Sequence, residues 1–120
     1  MINIKEANKV ARQGEAFFLR VPSMPEGVKE ISAENGKLIV SHSETGHDHV
    51  VEDKGVKFYQ HPADPLIAFL MFETAEFADV VHKRDYDTHD TVRLLGKPGT
   101  IWQRNLQREW TPEGWEQVMD

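Results

Sequence analysis

The chain has 120 residues, a formal net charge of −6, 39% hydrophobic residues, 28% charged residues and no cysteine. This length suits a single domain, residues 1–120, with one core. The acidic balance excludes broad binding to a nucleic-acid backbone, and the missing cysteines exclude disulfides and thiolate metal sites, which leaves nitrogen and oxygen ligands for any metal. No apolar run approaches membrane-spanning length, and the polar first twelve residues lack the apolar segment of a signal peptide. A cytoplasmic protein, of a bacterial cell or of a phage-infected host, fits these features.

In chain order, residues 3–13 place Ile4, Ala7, Val10 and Ala11 at a weak helical spacing. They predict a short N-terminal helix or a loose arm, ended by Gly14. Glu15 to Val21 is rich in Phe and Leu and predicts a strand. Pro22 to Gly27 is turn chemistry, since proline presets φ and glycine supplies positive φ. Val28 to Ile31 predicts a short strand. Asn35-Gly36 is the strongest two-residue hairpin signal, and Lys37 to His42 follows as a strand with Leu38, Val40 and His42 on one face. His47 to Glu52 and Val56 to Gln60 predict strands on either side of a turn at Asp53-Lys54-Gly55. After a loop at residues 61–65, Leu66 to Phe72 is seven apolar residues in a row, the pattern of a central strand buried on both faces. Phe77 to His82 and His89 to Leu94 are further strands. Around the segment Thr100 to Glu109, Trp102, Leu106 and Trp110 recur every four residues, which suits a helix; they also share one face of a strand, and the preceding Pro98-Gly99 turn favours the strand. Thr111-Pro112-Glu113 reads as an N-cap and first helical turn, so a short helix is expected to run to the end. The sum is all-β: a small antiparallel β-sandwich or barrel with short terminal helices.

The residues that suggest chemistry are Glu44-Thr45-Gly46-His47-Asp48-His49. In an extended strand, side chains i and i+2 share a side, so His47 and His49 would present two imidazoles to one point. Neutral imidazole is a common ligand of divalent metals. Tight binding needs further ligands, and His82, at the end of an apolar strand, is the best candidate, with His89 next and Glu44 the nearby carboxylate. The sequence does not separate zinc, nickel, iron and manganese, because nitrogen ligands suit all of them. Affinity is expected to fall on acidification through about 6.5, where free histidine titrates. His42 reads as an inward, satisfied histidine and His61 as an exposed loop residue. The bland alternative gives the histidines structural roles, or contacts to a ligand, in a non-catalytic binding module. Trp110 and Trp115 then suit a protein interface. A small molecule, a protein partner or a second copy of the chain all fit this composition.

Two resemblances attach to these motifs. A glycine, His47, His49 and Glu52, with a later Pro98-Gly99 turn, faintly resembles the cupin superfamily, which implies an all-β barrel. Trp102 stands where a cupin would place its third histidine, and Glu52 follows His49 too closely. More of the chain resembles a group of short bacterial and phage proteins. The likeness is carried by Arg12-Gln13-Gly14-Glu15, an RQGD-like start; by the Thr45-Gly46-His47-Asp48-His49 centre; and by Gln107 to Glu113, a QREYTPE-like end. It implies that the histidine segment and the C-terminal segment belong to one fold, and it names no reaction.

Overall fold

The computed structural model describes residues 3–42, 48–82, 90–111 and 114–117. Among these the chain forms thirteen strands and no helix: β1 (Asn3–Ala7), β2 (Val10–Gln13), β3 (Ala16–Val21), β4 (Lys29–Ile31), β5 (Lys37–Ser41), β6 (His49–Glu52), β7 (Val56–Gln60), β8 (Ile67–Phe72), β9 (Phe77–His82), β10 (Asp90–Leu95), β11 (Ile101–Leu106), β12 (Arg108–Thr111) and β13 (Gly114–Gln117). One sheet runs β1-β10-β9-β6-β5, a second runs β2-β3-β11-β8-β7-β4, and β12 and β13 form a separate hairpin.

The arrangement is sandwich-like because both sheets alternate, and their apolar faces meet in one cluster. The second sheet contributes Ala16, Phe18, Val56, Phe58, Ala68, Leu70, Phe72 and Trp102; the first contributes Leu38, Val40, Val51, Ala78, Val80, Val92 and Leu94. Each fully buried Phe or Leu contributes roughly 1.5–3 kcal/mol. Trp102 is buried with its polar edge satisfied, since Nε1–H donates to Leu95 O at 3.1 Å. The seven-residue apolar run lies centrally, with β8 between β11 and β7, and even its outward Phe69 is buried.

Local chemistry explains the hairpins. Asn35 and Gly36 both take positive φ, 53° and 76°, as a type I′ turn demands. Gly14, at φ 59°, opens the two-residue connection between Gln13 and Ala16, which are register partners. A glycine with positive φ at the first central position is the requirement of a type II′ turn.

Four expectations are corrected. Among the described residues there is no closed barrel: β1 and β5 are the edges of one sheet, β2 and β4 of the other. The sheets are not wholly antiparallel, because β1 pairs parallel to β10, Ile4 opposite Thr91. Residues 3–13 form two strands rather than a helix or an arm. Ala7 and Ala11 pack on the core from different sheets, so their four-residue spacing marks a crossing at Asn8-Lys9. The C-terminal helix is replaced at residues 114–117 by β13, which pairs with β12 in a register that sets Trp110 opposite Trp115. Aromatic residues favour paired strands, and that preference overrides the helix-start signal.

Candidate functional site

Within their sheets β2, β5, β7, β9 and β11 end where β3, β6, β8 and β10 begin. At this end of the molecule the apolar interior gives way to buried polar side chains: Gln13, Glu15, Ser41, His49, His82 and Arg104. They come from both sheets and from the β2–β3 turn.

His49 and His82 are direct register partners across β6 and β9. Cross-strand partners share a face, and both imidazoles point inward. Their rings stack, with centroids 4.0 Å apart and planes 13° from parallel. His49 is fully buried.

The tautomer of His49 follows from its neighbour. Gln13 Nε2 donates to Val80 O at 2.9 Å, which fixes the amide orientation. Gln13 Oε1 therefore faces His49 Nδ1, 2.7 Å away, and an amide oxygen only accepts. Nδ1 must carry a proton, so in the neutral ring Nε2 presents a lone pair. Nε2 faces Glu15 Oε2 at 3.4 Å, with both side chains essentially inaccessible to solvent. The other carboxylate oxygen, Oε1, accepts a short hydrogen bond from Ser41 Oγ. A lone pair and a carboxylate oxygen thus confront each other in a dry interior. A cation between them, a proton or a metal ion, would make that contact favourable.

Arg104 is the second charged centre. It is 5% exposed, and it lies inward because β11 alternates Trp102, Arg104, Leu106. Nη1 donates to Val40 O at 2.9 Å. That carbonyl belongs to the residue which a bulge between Ile39 and Ser41 leaves without a register partner on β6. Among the described residues Nε and Nη2 have no hydrogen-bond partner, and the guanidinium carbon stands 5.9 Å from the Phe58 ring centre. Burial pushes the Arg104 pKa down to about 10, against which the negative charges of Glu15 and Asp64 act. The group stays charged at neutral pH. Two buried N–H donors without acceptors cost roughly 1–3 kcal/mol each.

Of the sequence-predicted site residues, the fold brings His49 and His82 together. His47, His89 and Glu44 lie outside the described residues. The expectation that His42 points inward is corrected: His42 is exposed. The bulge at Val40 shifts the alternation by one, so Ser41 turns into the core in its place. His61 is half-buried and caps its own turn, its Nδ1 accepting from the backbone N–H of Ala63 at 3.0 Å and of Asp64 at 2.9 Å. Glu52 is largely exposed and sits 3.6 Å from Lys54 Nζ, far from the role of a cupin glutamate. Among the described residues no three His, Asp or Glu side chains already converge on one point. Parallel stacked rings explain this, since their in-plane lone pairs do not meet.

The sequence reading missed Gln13, Glu15, Ser41 and Arg104. Gln13 and Glu15 sit in the Arg12-Gln13-Gly14-Glu15 motif, where a type II′ turn folds Glu15 back under the sheet. Arg104 carries its own signal, an arginine in the core-facing register of an otherwise apolar alternation. The cluster begins at Gln13 and closes at Arg104, and a known family spans that stretch. The chain belongs to the DUF8820 family. Its description is a domain of unknown function, and its sequence profile matches residues 12–105. All six cluster residues fall within the matched DUF8820 span, while β1 and the β12–β13 hairpin fall outside it. No curated protein and no solved structure matches the chain. No helix among the described residues of this DUF8820 protein is long and apolar enough to cross a membrane.

A concavity of about 430 Å³ lies on the outward face of the first sheet between Val50, Phe77 and Val81. Its rim mixes Lys37 and Lys54 with Glu52, Glu76 and Asp79. Such a rim creates no field that selects a charged ligand.

Proposed function

We propose that this domain is a binding module for a divalent metal ion, held between His49 Nε2 and Glu15 Oε2. The observation that supports the reading is their separation of 3.4 Å. Two donors of one tetrahedral ion, each about 2.0–2.1 Å from it, stand roughly 3.3–3.4 Å apart. A charge-assisted hydrogen bond would instead draw the same atoms to about 2.7–2.9 Å. The surroundings suit a metal ligand too. Gln13 holds Nδ1–H and Ser41 holds Oε1, the type of outer contact that orients histidine and carboxylate ligands. His82, whose ring lies against that of His49, is the third donor in this reading. Imidazole and carboxylate donors suit zinc, nickel, iron or manganese. The reading extends to binding, with a small molecule or a protein as the further partner, and assigns no reaction.

The test is metal content of protein purified without an affinity tag, followed by calorimetric titration of the chelator-treated chain. About one metal per chain, lost in His49→Ala, is expected. Wild-type protein that takes up no metal at neutral pH, or a His49→Ala chain that binds equally well, sinks the reading and leaves a proton in the gap, as a buried imidazolium–carboxylate pair.

A further inference from the structure

We propose that Arg104 anchors the carboxylate of a small acidic ligand at this same end of the molecule. The inference does not rest on metal binding.

The guanidinium uses one nitrogen, Nη1, to hold Val40 O. The remaining atoms, Nε and Nη2, lie side by side on one edge of the planar group, and neither has a hydrogen-bond partner among the described residues. That edge is the one that grips a carboxylate through two parallel N–H···O bonds. Native interiors leave very few buried donors unanswered, and here two adjacent ones remain on a side chain that is 5% exposed. Glu15 is the opposite charge that acts most on Arg104. Its oxygens are turned elsewhere, Oε1 to Ser41 and Oε2 towards His49. The interior carboxylate therefore leaves the free edge to another acceptor.

Charge and shape narrow the ligand. Arg104 stands two residues from the end of β11, with Ala68 of β8 and Phe18 of β3 as its register partners. One cation, already partly offset by Glu15, matches a singly charged, planar, two-oxygen group. A dianionic phosphate brings more charge and a tetrahedral shape that a single guanidinium edge does not neutralise.

The full chain labelled with ¹⁵N resolves this, with a chelator present throughout so that metal plays no part. The Arg104 Nε–Hε resonance is followed during titration with sodium acetate and sodium oxalate, and with chloride and inorganic phosphate at matched ionic strength. A saturable shift and slower Hε exchange with either carboxylate, but not with chloride or phosphate, are expected. Arg104→Lys keeps the charge without the two-donor edge and should lose the carboxylate response while retaining the amide spectrum. An unresponsive Nε–Hε signal, a response led by phosphate, or an Arg104→Lys chain that responds like wild type overturns the proposal. Should Arg104→Lys not fold, the wild-type titration alone decides.

Discussion

Replacing Glu15 by Gln isolates the role of charge in the buried cluster. Gln has nearly the same volume and keeps an oxygen for Ser41, so no cavity opens and the hydrogen bond at Oε1 survives. What is lost is the negative charge facing His49 and acting on Arg104. Removing one member of a buried ion pair costs about 3–5 kcal/mol, because the partner is left charged and dry. Glu15 acts on Arg104 through space and not through a hydrogen bond, and the variant keeps its neutral contacts, so a cost of about 2–4 kcal/mol is expected. In a domain of this size that is a fall in Tm of roughly 8–16 °C. Arg104→Met alone should cost a similar amount, since it removes the charge and also leaves Val40 O without its donor. The double variant removes both charges, and its cost should fall short of the sum by at least about 1.5 kcal/mol. Urea unfolding at pH 7 gives the three values, with an unchanged m-value as the control for an intact native state. Additive single costs, or a Glu15→Gln cost under about half a kcal/mol, would show that Glu15 and Arg104 do not form one electrostatic unit.

Four further outcomes follow from particular contacts. Leu70→Ala, at a fully buried position of β8, should lose about 2–5 kcal/mol in urea unfolding; a loss below half a kcal/mol would remove β8 from the core. Gly55→Ala should destabilise by about 1–3 kcal/mol, because Gly55 has φ +72° and an added Cβ would collide with Thr74 Oγ1 and meet Ala75 N at 2.9 Å; unchanged thermal melting would contradict that geometry. Ser41→Ala removes the hydrogen bond that Ser41 gives to Glu15 Oε1 without altering the histidines, and should weaken metal uptake by about 10–100-fold, as loss of an orienting partner does. Gln13→Ala should do the same by releasing the His49 tautomer, visible in the ¹⁵N shifts of its ring nitrogens; an unaltered ring spectrum would show that Gln13 does not set the proton.

Much of the strand pattern was legible because the cues are local. Asn35-Gly36, Gly55 and Pro98-Gly99 mark turns by their backbone demands, and the run through Leu70 has the length and bulk of a buried strand. The N-terminus misled because Ala7 and Ala11 serve two sheets, and a spacing read along one segment does not reveal a crossing. The site was half legible. His49 and His82 were both singled out, but their pairing comes from the β6–β9 register, a contact between distant segments, and not from the two-residue spacing of His47 and His49. The remaining members depend on events that alternation alone hides. One bulge exchanges His42 for Ser41, one type II′ turn buries Glu15, and one strand carries Arg104 inward.

The central claim, that His49 and Glu15 share a divalent ion, meets its most direct test in calorimetric titration of chelator-treated wild-type and Glu15→Gln chains with zinc at neutral pH. The account predicts about one ion per wild-type chain and binding weakened at least tenfold in a Glu15→Gln chain that remains folded. No uptake by the wild type, or equal affinity in the two chains, would contradict it.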